Sequence, residues 1–96
     1  MDLAEATADD FLNLIDQSFE IDGEGLAPLT LAEVESKGTR LESGRTPFSL
    51  LFRADTDTLM PQQIYRLQHK ATGPIEIFLV PVAQGADHVL YEAMFA

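Results

Sequence analysis

Four runs, Pro47-Phe-Ser-Leu-Leu-Phe-Arg53, Gln62-Gln-Ile-Tyr-Arg-Leu-Gln-His69, Ile75-Glu-Ile-Phe-Leu-Val-Pro-Val82 and His88-Val-Leu-Tyr-Glu-Ala-Met-Phe95, follow one another in the second half of the chain. Each is rich in β-branched and aromatic residues and is bounded by Gly, Pro, Asp or Thr, so each reads as a strand. Between Lys70 and Pro74 lie Ala71, Thr72 and Gly73, a three-residue connection ending in glycine. That is the signature of a type I turn closed by a left-handed glycine and a bulge. Pairing Lys70 with Pro74 sets Leu67 opposite Ile77 and Tyr65 opposite Leu79. The next hairpin, around Ala83 to Asp87, then sets Leu79 opposite Tyr91 and Ile75 opposite Phe95.

One face of this block collects Tyr65, Leu67, Ile75, Ile77, Leu79, Val89, Tyr91 and Phe95, and is the expected core. The other face holds Arg66, Gln68, Glu76, His88 and Glu92, but also Ile64, Phe78, Val80, Val82, Leu90 and Met94. Strands apolar on both faces are usually covered on both. The uncovered set, Ile64, Phe78, Val80, Leu90 and Met94, is therefore the candidate interface unless another element of the chain lies over it.

Working toward the N-terminus, Thr7-Ala-Asp-Asp10 has the chemistry of a helix start. The spacing of Phe11, Leu12 and Ile15 predicts a short amphipathic helix from about Ala8 to Asp16, which at that length must dock on something. It is the nearest lid for the second apolar face. Phe19 and Ile21 alternate with polar residues in a short strand ended by Gly23 and Gly25. Leu29 to Ser36 is a further strand, in which Leu29 and Leu31 share a parity that Val34 breaks, so a bulge is expected near Ala32. Gly38 to Thr46 and Ala54 to Pro61 read as connections.

The chain has 96 residues, 46% hydrophobic and 23% charged, in keeping with one soluble domain spanning 1–96. The expected fold is mainly β: about six antiparallel strands in a small barrel or sandwich with a short N-terminal helix, for which an α+β label would also serve. The net charge is −10, and ten acidic residues, from Asp2 to Glu35, precede the first basic one, Lys37. Such a field disfavours nucleic acid and anionic membranes as partners. It suits a basic protein partner, or simply keeps the chain soluble. There is no cysteine, no apolar run long enough to span a bilayer, and no basic-then-apolar start of a secretory signal. A cytoplasmic protein is expected.

No catalytic motif stands out. His69 and His88 are the only histidines, and the pairing points them to opposite faces, so neither a metal nor another cofactor is expected. Asp22-Gly-Glu24 and Asp55-Thr-Asp57 resemble pieces of calcium loops without the rest of the ligand pattern, and read as turns. Arg66 beside Glu76 and Glu92 is the pattern of a polarised carboxylate pair, but equally of cross-strand ion pairs. Ser49 lacks a nucleophile elbow, and no glycine-rich phosphate loop occurs. Phe48, Phe52, Phe78 and Phe95 suit a core better than a base-stacking platform on so acidic a chain.

The segments Pro47 to Arg53, Pro61 to His69, Ile77 to Val82 and Tyr91 to Phe95 resemble a family of small bacterial proteins known only as a domain of unknown function. The resemblance spans most of the chain, including the Phe19 segment. It implies a compact, mainly β stand-alone domain whose relatives occur near phage-tail-collar-like genes, and it brings no catalytic residues. The expected function is thus a non-enzymatic interaction or assembly module, accessory to a phage-tail-like assembly, that binds itself or a larger protein partner. Two other classes compete. One is a small-ligand binder or enzyme using a barrel mouth lined by Tyr65, Arg66, His69 or Tyr91. The other is an acidic decoy of a basic partner.

Overall fold

A computed structural model describes residues 1–39 and 44–96. The middle of the expected Gly38–Thr46 connection, residues 40–43, lies outside them. The described residues form a helix α1 (Ala8–Leu12) and strands β1 (Ser18–Ile21), β2 (Leu29–Ser36), β3 (Phe48–Ala54), β4 (Gln63–His69), β5 (Gly73–Gln84) and β6 (Val89–Phe95). The strands close into an antiparallel barrel in the order β1-β2-β3-β6-β5-β4. This is the six-stranded, mainly β architecture that the alternating pattern predicts.

Two strands make the corners. β1 pairs with β2 through Ser18 and Phe19, then with β4 through Glu20 and Ile21. β5 pairs with β4 over Gly73–Leu79 and with β6 over Val80–Gln84. Strands that change partner part-way let two short sheets meet at an angle without a free edge along their whole length. The bulge expected near Ala32 is present, because the β2–β3 register shifts between Leu31 and Glu33. The shift turns Val34 back toward the interior, where it packs against the core with Leu29 and Leu31.

Gly73 has a φ of +67°, the left-handed conformation expected of it. The register nevertheless differs by two residues from the Lys70–Pro74 pairing. Gly73 itself pairs with His69, which places Leu67 opposite Ile75 and Tyr65 opposite Ile77. Pro74 has no N–H to offer a closing pair, and the glycine takes that position instead. The β5–β6 ladder is displaced by two as well, with Pro81 opposite Tyr91, and a second bulge at Val82 separates Pro81 from Ala83. A displacement of two preserves the faces. All eight residues of the expected core face are buried.

The helix is shorter than its pattern suggests. Asp10 accepts a hydrogen bond from the Thr7 amide at 2.8 Å, fixing the start. The chain leaves the helix after Leu12 and passes through Asp16, whose φ is +71° and whose amide donates to the Leu31 carbonyl at 2.7 Å. That turn delivers the chain to β1. Phe11 is fully buried and Leu14 is buried, while Leu12 is 48% exposed. The docking residues are therefore Phe11 and Leu14 with Ile15 half-buried beside them, and of the expected stripe only Leu12 faces solvent.

Candidate interaction surface

Phe11 lies against Phe48 and Phe95, with ring centroids 6.0 and 6.1 Å away. Those two rings stack on each other at 4.6 Å. Phe48 begins β3 and Phe95 ends β6, so the helix plugs one end of the barrel and does not reach the outer face of β4, β5 and β6. On that face Ile64 is 64% exposed and Met94 59%, with Phe78 and Val82 about half exposed, and Val80 and Leu90 half-buried. Ile64 and Phe78 are direct cross-strand partners. Val80 follows Phe78 on the same side, opposite Glu92, and Leu51 and Leu90 continue the apolar surface across β6 to β3.

Charged residues interleave with it. Arg66 reaches Asp22 at 3.2 Å and Glu76 at 3.8 Å, and Arg53 pairs with Asp55 at 2.7 Å. Glu92 lies opposite Val80 and Leu51, away from Arg66, so Arg66 and its two expected carboxylates do not form one cluster. All these pairs are solvent-exposed, where screening leaves little net stabilisation. Ser49 is buried between Glu35 and Met94 in the ladder.

The free strand edge here is blunted. β4 ends its pairing with β5 at Leu79, so Val80–Gln84 have a ladder on the β6 side alone. That segment contains Pro81, which has no N–H, and the Val82 bulge, two devices that discourage the addition of a foreign strand. The side chain of Gln84 donates to the Asp57 carbonyl at 3.2 Å, drawing the β3–β4 connection toward it.

The residues of the alternative barrel mouth are not brought together. His69 sits at the helix end of the barrel, its Nε2 2.7 Å from Gln17 Oε1 and its ring 4.6 Å from that of Phe19. Arg66 points outward. Tyr65 and Tyr91 are together, at the opposite end, under the Ala54–Pro61 connection. The Tyr91 hydroxyl accepts from the Met60 amide at 2.9 Å, and the Tyr65 hydroxyl donates to the Pro61 carbonyl. A cleft of about 60 Å³ lies there, lined by Leu26, Ala27, Ala54, Met60 and Tyr91 among others. Small-molecule sites usually run to about 300–1,000 Å³.

Burial, reinforced by the neighbouring Tyr91, holds the Tyr65 phenol above its ordinary pKa of 10.0. The neutral form is thus favoured in the folded state. Its contribution to stability is complete below about pH 10 and is lost as pH rises through the folded value. Urea midpoints measured between about pH 8 and pH 11 are expected to fall more steeply for the native chain than for Tyr65→Phe; parallel slopes would refute this. At the surface, a hydrogen bond from His88 holds the Asp87 carboxyl below its ordinary value. Among the described residues no three His, Asp or Glu side chains gather as metal ligands, and no helix is long and apolar enough to cross a membrane.

One residue escapes any sequence pattern. Arg45 spreads its guanidinium over four main-chain oxygens: Leu3 at 2.9 Å, Ala4 at 3.2 Å, Ala6 at 3.0 Å and Ala96 at 2.6 Å. It also lies 5.9 Å from the centre of the Phe48 ring. Backbone carbonyls carry no residue signature, so only an isolated cation between Gly44 and Thr46, three positions before Phe48, marks it in the sequence.

A family model described as a domain of unknown function (DUF6916) matches residues 6–95. The chain belongs to the DUF6916 family. The match takes in α1, all six strands and Arg45, together with the whole outer face of β4, β5 and β6. Leu3 and Ala4, two of the residues whose carbonyls accept from Arg45, lie before the matched DUF6916 residues. No curated protein and no solved structure matches the chain.

Proposed function

We propose that the protein is a non-enzymatic interaction module that docks through the outer face of β4, β5 and β6. The observation that carries this reading is the exposure of Ile64, Phe78, Val82 and Met94 on strands whose other side is already a complete core. Each leaves an apolar side chain in water that burial against a partner would stabilise, by about 25 cal/mol per Å² removed. Helix α1 is committed to the barrel end, so nothing in it competes for this face. Pro81 and the Val82 bulge favour side-chain docking over strand addition. An accessory place in a phage-tail-like assembly is the specific setting that the family resemblance favours.

The test is a photo-crosslinking amino acid placed at position 78 and expressed in the source cells. A discrete adduct from position 78, absent when the crosslinker replaces the equally exposed Leu12 or Leu59, is the expected outcome. Equal or absent labelling at all three positions would sink the proposal.

A further inference from the structure

We infer that His69 is a proton-operated latch on the β4–β5 turn, closed while its imidazole is neutral; the inference is independent of the docking surface. The main chain fixes the state of the ring. The Ala71 amide, which can only donate, points at His69 Nδ1 from 3.0 Å, so Nδ1 carries no proton and the ring N–H is on Nε2. Gln17 agrees. Its side-chain Nε2 donates to the Asn13 carbonyl at 3.2 Å, which leaves its Oε1 to accept from His69 Nε2 at 2.7 Å. Donors and acceptors thus run in one sense from the turn, through His69 and Gln17, to the residue that caps the end of α1.

A second proton can go only to Nδ1. The imidazolium has two N–H groups and no acceptor in any orientation, so the bond from Ala71 must break while the Nε2–H bond to Gln17 persists. Protonation therefore releases the turn and leaves the ring seated on Phe19. The charged groups around the ring are Lys70 in the same turn, the Met1 amino group that donates to the Thr72 carbonyl at 2.8 Å, and Asp16 and Glu20, which flank Gln17 and Phe19 in the chain. Asp22 is taken up by Arg66 and Gln68. Among the described residues no carboxylate is ion-paired with His69. The lost bond is not replaced by an ion pair.

The test is 15N NMR of the whole chain, titrated from about pH 8 to about pH 5, the range over which histidine changes charge. At the upper end the His69 ring is expected to show a protonated Nε2 and a bare Nδ1. As the ring titrates, the Ala71 amide resonance is expected to move in step. Its protection from hydrogen exchange should fall about three- to tenfold, the equivalent of one hydrogen bond.

Three variants separate the latch from a passive turn. His69→Asn supplies a carbonyl oxygen that accepts from the N–H two residues on and cannot titrate, so it is expected to keep the bond at every pH. Gln17→Glu puts a carboxylate against Nε2, which favours the imidazolium, and is expected to move the Ala71 transition to higher pH. His88→Gln, which removes the other histidine, is expected to leave that transition in place. A proton found on Nδ1 at about pH 8, an Ala71 amide that ignores the titration of His69, or an equal transition in His69→Asn overturns the latch.

Discussion

Phe11→Ala is expected to destabilise the protein by about 3–5 kcal/mol, the usual cost of emptying a buried phenylalanine site. The five-residue helix that carries Phe11 has too few turns to persist alone, so its side chain is what seats it. With the ring gone, the stacked faces of Phe48 and Phe95 lose their cover. The surrounding barrel cannot collapse to replace it, since β3 and β6 are held by their ladder. Phe11→Leu keeps most of the volume and is expected to cost about 1 kcal/mol. Equilibrium urea unfolding reads both. A loss below about 1 kcal/mol for the alanine variant would mean that the plug contributes little and the barrel stands without it.

Arg45→Met is expected to cost about 2–3 kcal/mol, large for a residue in a connection. The aliphatic part of methionine can still lie over Phe48, so the loss isolates the hydrogen bonds to Leu3, Ala4, Ala6 and Ala96. Arg45→Lys should recover little, because a single ammonium cannot reproduce a planar fork that meets four oxygens at once. Removing the exposed Arg53–Asp55 pair, by contrast, should leave stability nearly unchanged. Chemical denaturation gives the magnitude, and faster amide exchange over residues 3–8 locates it. An Arg45→Met variant within about 0.5 kcal/mol of the native chain would show the clasp to be ornamental.

These two residues also mark where sequence reading gives way to structure. Inside and outside are legible from alternation, because a side-chain period of two assigns Tyr65, Leu67, Ile77 and Tyr91 to one face whatever the pairing. The Ala32 bulge is legible for the same reason, from the change of parity between Leu31 and Val34. The pairing itself is not, since a slide of two residues leaves every face intact; the conformation of Gly73 and the missing N–H of Pro74 decide it. The docking of α1 is equally hidden. Its pattern shows an apolar stripe, but whether Phe11 covers a face or fills an end depends on where Asp16 turns the chain into β1. For the candidate surface, Ile64, Phe78, Val80, Leu90 and Met94 were readable as a second apolar side. That they stay uncovered by α1 follows only from the position of Phe11.

The strand order has a consequence for how the chain is made. β6 follows the other five strands in chain order, yet it stands between β3 and β5 in the finished barrel. Until residues 89–95 are released, β3 can pair only with β2, and the apolar side chains of Phe48, Leu50 and Phe52 have no permanent cover. The nascent chain therefore cannot settle strand by strand. Its interior stays open until β6 is available to insert between β3 and β5, and the acidic residues ahead of Lys37 oppose the clumping of such open chains.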